Sequence, residues 1–217
     1  MKTIKLKIGS TVCAAAMLVF GSSTIQAQNL LTDPGFESGT AVSGGIGGWT
    51  PFNGAAFSTN YALGGSYSMD DTGGGGYTVP GSYQYIAATA GDSYLLTGWG
   101  YIPTALTGAS VGELQITFTD SSFNNLGTVQ TSPGNALGST PEIDSSSPTG
   151  TWIEMSVLAT APADTAYIEP FTLVLDATPT TVYFDDLTLT QVPEPSTLAL
   201  AGMALGIPFY FLRRRNS

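Results

Sequence analysis

Gly112-Glu113-Leu114-Gln115-Ile116-Thr117-Phe118-Thr119 alternates apolar and polar side chains without a break. In an extended chain successive side chains point to opposite faces, so Leu114, Ile116 and Phe118 share one face while Glu113, Gln115, Thr117 and Thr119 share the other. The same period of two recurs in Trp152-Ile153-Glu154-Met155-Ser156-Val157, where Ile153, Met155 and Val157 oppose Trp152, Glu154 and Ser156. Outward from these stretches, β-branched and aromatic runs punctuated by Gly, Pro, Ser, Thr and Asn predict strands over 30–37, 66–70, 83–87, 93–102, 112–119, 127–131, 152–160, 166–175 and 181–190. Residues 73–76, 124–125 and 132–147 read as loops. With no helical pattern between residues 28 and 191, these strands predict an all-β domain, an antiparallel β-sandwich.

The two ends have a different composition. Residues 1–27 carry Lys2, Lys5 and Lys7, an apolar run from Val12 to Phe20 and a close at Ile25-Gln26-Ala27. That layout predicts a helical secretory signal peptide cleaved after Ala27. Cys13 is not a lipoprotein cysteine, because Val12 stands where a small residue is needed and the apolar run follows the cysteine. Residues 192–217 begin Val192-Pro193-Glu194-Pro195-Ser196, continue from Thr197 to Leu212 without a charge, and close on Arg213-Arg214-Arg215. The prolines enforce an extended approach, Ser196 suits a helix N-cap, and the arginines suit the cytoplasmic end of a transmembrane helix over 197–212.

This tail resembles the PEP-CTERM sorting signal of Gram-negative bacteria. The resemblance implies an exosortase partner, a membrane transpeptidase acting near Pro193-Glu194-Pro195, with transient anchoring in the inner membrane before release to the cell surface or extracellular matrix. It also implies association with exopolysaccharide and biofilm.

All six basic residues and the single cysteine fall in the two end segments, and the chain has no histidine. Fifteen of its sixteen acidic residues fall within 28–191. Without Lys or Arg this domain has no means of gripping phosphate, which excludes nucleic acid as a partner. It forms no internal salt bridge, so each buried carboxylate must be protonated, hydrogen-bonded by neutral donors or bound to a cation. Without cysteine it has no disulfide, and its length suits one core.

Three landmarks go further: Asn29-Leu30-Leu31-Thr32-Asp33-Pro34-Gly35-Phe36-Glu37, Ala90-Gly91-Asp92-Ser93-Tyr94-Leu95-Leu96-Thr97-Gly98-Trp99, and Gly150-Thr151-Trp152 with Val182-Tyr183-Phe184-Asp185-Asp186-Leu187-Thr188-Leu189. Their order resembles the jelly-roll superfamily of carbohydrate-binding modules, with Asp33 replacing the usual Asn. The resemblance implies a structural calcium held by Glu37 and one of Asp185 or Asp186, helped by the Gly35 carbonyl. One of the two aspartates faces inward unless a bulge intervenes: Asp185 if Leu187 and Leu189 face the core, Asp186 if Val182 and Phe184 do. A hard cation suits a carboxylate with no basic partner. Asp70-Asp71, before Thr72 and four glycines, reads as a solvated turn.

Serine-based catalysis lacks a base here, since the domain has neither His nor Lys. A glycosidase needs only two facing carboxylates, and Glu113, Glu154 and Glu169 lie on predicted strands, but alternation places them as outward-facing residues. A non-catalytic polysaccharide-binding module is the stronger expectation. Trp49, after Gly47-Gly48, and Tyr83 with Tyr85, beside Pro80-Gly81, are the aromatics expected on exposed loops where a sugar ring can stack. The alternative is an acidic matrix protein without a sugar site.

Overall fold

The alternating stretches are strands in the computed structural model, which describes residues 28–131 and 142–192. In chain order they are β1 (Thr50–Phe52), β2 (Ala56–Ser58), β3 (Ser68–Gly74), β4 (Gly81–Tyr83), β5 (Ile86–Ala87) and β6 (Ser93–Tyr101). Then follow β7 (Val111–Thr119), β8 (Asn125–Gln130), β9 (Trp152–Thr160), β10 (Tyr167–Leu175) and β11 (Pro179–Val192). The described residues contain no helix. Ala27, Pro193-Glu194-Pro195, the expected helix over 197–212, Arg213-Arg214-Arg215 and the signal segment lie outside the described residues.

Two antiparallel sheets face one another. The six-stranded sheet runs β1-β4-β10-β7-β8, with β5 also paired to β10, and the five-stranded sheet runs β2-β3-β11-β6-β9. Between them Leu114, Ile116 and Phe118 of β7, Met155 and Val157 of β9, Ile168 and Val174 of β10, and Leu96 of β6 form one buried core. These are the apolar halves of the alternating patterns, as a sandwich requires.

The opening segment departs from expectation. Residues 30–37 are not a strand, because Asp33 and Phe36 adopt φ of 53° and 60°, a left-handed conformation that folds the chain into turns. The segment still docks on β11: Leu30 N donates to Leu189 O at 2.8 Å and Leu187 N to Pro34 O at 2.9 Å. The Asn29 side chain completes the join, accepting from Leu189 N and donating to Leu187 O, both at 3.0 Å. Phe36 is thereby driven into the core, where it is fully buried.

Expected strand 83–87 is two strands, because buried Gln84 turns away to clasp Thr32, accepting from its N–H at 2.9 Å and donating to its carbonyl at 3.1 Å. Expected loop 73–76 is half strand, since Gly73 and Gly74 pair with Thr180 and Pro179, and Asn125 opens β8. Within expected loop 132–147, Ile143 pairs with Gly112 and is fully buried.

Candidate ligand-binding face

The six-stranded sheet turns its core residues inward and shows the other half of its alternation on the opposite side. Strand register arranges that side in rows. Phe52 pairs with Gly81, Gly81 with Leu173, and Leu173 with Glu113. In the next row Tyr83, Phe171, Gln115 and Gln130 are successive partners. Glu169 pairs with Thr117, and Tyr167 with Thr119.

Six aromatic rings run across these rows. Tyr83 stands 5.4 Å from Phe171 at 31° and 5.4 Å from Tyr85 edge-on, and Phe52 lies within 6.1 Å of Tyr83. Tyr85 meets Phe123 edge-on at 4.8 Å, and Phe123 stacks on Tyr167 at 5.0 Å and 12°. Phe123 is 45% exposed and the other five rings are half-buried. Two glycines permit the arrangement. A Cβ on Gly81 would come within 2.4 Å of Thr172 O and 2.9 Å of the Phe52 ring, and one on Gly45 within 2.8 Å of both tyrosine rings. Gly45 also accepts from Tyr85 N at 2.7 Å, so the loop before β1 edges the two tyrosines, which are half-buried on the sheet face instead of exposed on a loop.

Polar groups on the same face are buried without being satisfied. Glu113 Oε2 and Glu169 Oε1 have no hydrogen-bond partner, although their residues are only 1% and 6% exposed. Burial pushes the Glu113 carboxyl up to about 7, with the Glu142 charge adding to it. Burial raises Glu169 as well, against the Tyr85 and Thr119 hydroxyls, which favour its ionised form. Glu113 and Glu169 belong to the half of the alternation that points away from the core, but their unpartnered oxygens are buried beneath the face, which leaves the aromatic rings as its accessible part.

Of the aromatics singled out from sequence, Tyr83 and Tyr85 belong to this face and Trp49 does not. Trp49 is 1% exposed, packs on Phe36 at 5.0 Å and donates its Nε1–H to Asp33 O at 2.9 Å. It is a core residue that closes the opening segment. Phe52, Phe123, Tyr167 and Phe171 were missed. The period-two run Tyr167-Glu169-Phe171 was the signal for two of them, because it places them together on whichever face Ile168 avoids.

Glu113 and Glu169 are not spaced as a glycosidase pair. Glu113 and Glu169 do share a face, but four residues of β7 separate Glu113 from Thr117, the partner of Glu169. At about 3.3 Å per residue they stand roughly 13 Å apart along the strand, beyond the ~5–9.5 Å of glycosidase pairs. Glu154, on β9, belongs to the other sheet.

The calcium candidates do come together. A bulge between Asp185 and Thr188, with Asp186 at φ 47°, shifts the parity of β11. Val182 and Phe184 before it and Leu187 and Leu189 after it therefore all face the core. Asp185 is fully buried on the other side of β11 and Asp186 is exposed. A Cβ on Gly35 would lie 3.4 Å from Asp186 Oδ1, 3.7 Å from Glu37 Cγ and 3.8 Å from Asp185 Oδ1. Much of this charge is met by backbone amides: Asp185 Oδ2 accepts from Leu63 N at 2.7 Å and Gly64 N at 3.2 Å, and Glu37 Oε1 from Tyr67 N at 2.9 Å. Burial nonetheless pushes Asp185 up to about 6. No group of three acidic, His or Cys side chains among the described residues is close enough to form a metal site unaided. Backbone carbonyls would have to complete any cation's shell, which is the part the Gly35 carbonyl was expected to play.

Asp70 and Asp71 are not in a solvated turn. Both belong to β3, where Asp71 is fully buried with neither oxygen partnered. Burial pushes its carboxyl up to about 8, opposed by the Thr172 hydroxyl.

Comparison with known proteins bears on both ends of this architecture. Residues 191–215 match the model of the PEP-CTERM protein-sorting motif. The chain carries an exosortase sorting signal. Its first two residues, Gln191 and Val192, are also the last two of β11, so the signal begins inside the folded sheet. No curated protein matches the chain by sequence. Among solved structures, the CBM22-1 xylan-binding domain of Paenibacillus barcinonensis Xyn10C is 13% identical with a TM-score of 0.53, over 77% of this chain and 97% of that one. A Family 16 Carbohydrate Binding Module-2 is 23% identical with a TM-score of 0.51, over 75% and 99%. The arabinose-bound MgGH51 α-L-arabinofuranosidase is 15% identical with a TM-score of 0.53, over 75% of this chain but only 26% of the enzyme. At these identities the likeness is one of fold: the described domain is a jelly-roll β-sandwich.

Proposed function

We propose that this is an exported, exosortase-processed protein of a Gram-negative cell surface or matrix, and that its domain binds polysaccharide without cleaving it. The observation that carries the reading is the continuous run of six aromatic rings across one sheet face, with Phe123 45% exposed. Aromatic faces accept the apolar C–H side of a pyranose. The wide spacing of Glu113 and Glu169 supports binding over hydrolysis. Residues 1–27 serve as the export signal and 197–212 as the transient membrane anchor. A location in exopolysaccharide or biofilm fits a polyanionic domain without cations, as does a purely structural matrix role.

Titration of the full chain with neutral oligosaccharides, followed by calorimetry, tests the sugar site. Tyr83→Ala and Phe171→Ala are expected to weaken binding about fivefold or more each, the usual cost of losing a central aromatic contact. Equal affinity in both variants, or no binding to any glycan of a broad panel, would leave the matrix role as the better reading.

Calcium at Gly35, Glu37, Asp185 and Asp186 belongs to the same proposal. Oxygen-only ligands and three carboxylates with no basic neighbour are the chemistry a hard cation takes, here tying the opening segment to the bulge of β11. Calcium is expected to raise the melting temperature and EDTA to reverse the gain; an unchanged melting temperature in both would remove the ion from the account.

A further inference from the structure

The opposite side of the molecule carries a second aromatic array. On the five-stranded sheet Asp70, Tyr183, Tyr101 and Trp152 are successive register partners across β3, β11, β6 and β9. Their sequence neighbours Asp71, Val182, Phe184, Gly100 and Ile153 point the other way, so the row looks out from the sandwich. Tyr101 meets Trp152 at 5.2 Å. Tyr61 reaches in from the loop after β2, lying 4.7 Å from Tyr101 and 5.0 Å from Tyr183, and remains 40% exposed. Acids, amides and hydroxyls stand around the rings, with Thr72 donating to Asp70 Oδ1. Asp70 and Asn60 lie against the Tyr183 hydroxyl, and exposed Glu154 faces Trp99 on the adjoining row.

Charge decides what such a surface takes. Electron-rich Tyr and Trp faces attract cations, and Asp70 and Glu154 reinforce that preference with no Lys, Arg or His anywhere in residues 28–191 to offset it. A second copy of the same polyanion is repelled, and so is a uronic-acid polymer. A sugar bearing an ammonium group matches both parts of the surface, its ring stacking on Tyr101 or Trp152 and its charge reaching the carboxylates.

We propose that the face of Tyr61, Tyr101 and Trp152, with Tyr183 buried against them at 5% exposure, is a second glycan-binding surface, separate from the one on the six-stranded sheet and selective for oligosaccharides with free amino groups. The occupant is an aminoglycan chain lying across β11, β6 and β9. A domain with both faces working bridges two polysaccharides.

The test is titration of the full chain with a glucosamine hexamer, its fully N-acetylated counterpart and a hexuronate, at about 0.15 M salt so that diffuse attraction to a polyanion is screened. Tryptophan fluorescence reads Trp152 and Trp99 directly, Trp49 being buried in the core. The glucosamine hexamer is expected to bind at least about fivefold more tightly than the acetylated one, and the hexuronate not at all. Tyr61→Ser, on an exposed loop, and Glu154→Gln, on an exposed strand position, are each expected to cost about fivefold or more. Binding of the glucosamine hexamer that survives Tyr61→Ser and Trp152→Phe would mean non-specific attraction and overturn the proposal. Equal affinity for the acetylated hexamer, or no binding of the free amine, would overturn it too. Loss through Tyr83→Ala alone would place all sugar binding on the other sheet.

Discussion

Asp71 poses the question of how a domain with no positive charge keeps a carboxyl in its core. Asp176 answers it one way: burial raises its pKa, but Thr78, Val79 N and Gly75 N all donate to it, and the net effect holds it below the usual carboxylate range. Asp71 has only the Thr172 hydroxyl to oppose burial, which pushes its carboxyl up to about 8, so it is folded as the neutral acid. An unfolded aspartate ionises near 3.9. The stability tied to this proton is therefore complete below about pH 4, erodes as the pH rises, and is gone once the pH passes about 8. Asn at this position is neutral in both states. Asp71→Asn is expected to be more stable than the parent at pH 8 by up to about 5 kcal/mol, the gap of about four units between the two pKa values converted at about 1.36 kcal/mol per unit, with the advantage vanishing toward pH 4. Urea denaturation at the two pH values checks this, and an equal difference at both would show that the carboxyl does not hold its proton.

Strand β4 ties the binding face to the fold through a single glycine. The three residues of β4 pair with β1 on one side and β10 on the other, and Gly81 lies under Phe52 with Thr172 O close behind. Backbone cannot move aside as a side-chain tip can. Gly81→Ala is expected to cost about 1–3 kcal/mol, the range for overpacking, and to displace Phe52 from the aromatic face. Gly127→Ala in β8, where an added Cβ meets nothing within 4 Å, serves as the matched control and is expected to change stability by less than about 1 kcal/mol. Equal melting temperatures for the two variants would contradict the packing argument. Strands as short as β1 and β4 are also where sequence reading reached its limit. The long elements β6, β7, β9 and β10 were legible because eight or nine alternating residues leave only one way to bury Leu114, Ile116 and Phe118 together. β1 and β2, at three residues each, show no period, and their place depends on partners far along the chain. The same limit explains the sites. Tyr83 and Tyr85 were found through their turn residues. Trp49 misled because Gly47-Gly48 looks alike whether the following ring is exposed or, as here, folded onto Phe36. The bulge at Asp186 merges two alternation patterns, so Val182 and Phe184 face the core together with Leu187 and Leu189, and neither aspartate faces inward as the unbulged strand would require.

Seen whole, the domain is a sandwich with fifteen acidic residues and no compensating cation, and its stability should follow their titration. Two effects act in the same direction between pH 8 and pH 5. Asp71 and Glu113, pushed up to about 8 and about 7 by burial, take up protons in the folded state at pH values where the unfolded chain leaves them ionised, so folding gains as the pH falls. Mutual repulsion among the exposed carboxylates also weakens as they begin to protonate. Below about pH 4 the balance reverses. Asp120, held below the usual carboxylate range by the Asn124 side chain and by backbone amides, Asp144, held there by Ser146 and Ser147, and Asp176 lose their hydrogen-bonded anions as the pH falls through their lowered values. The melting temperature is therefore expected to be several degrees higher at pH 5 than at pH 8, since each 1 kcal/mol is worth about 2–4 °C in a domain of this size, and to fall again below pH 4. Salt separates the two effects. Raising sodium chloride from about 0.02 M to 0.5 M screens surface repulsion and should raise the melting temperature at pH 8, but it leaves the cost of ionising a buried Asp71 almost untouched. A pH dependence that salt abolishes would assign the whole effect to the surface; one that persists in high salt and disappears in Asp71→Asn would assign it to the core.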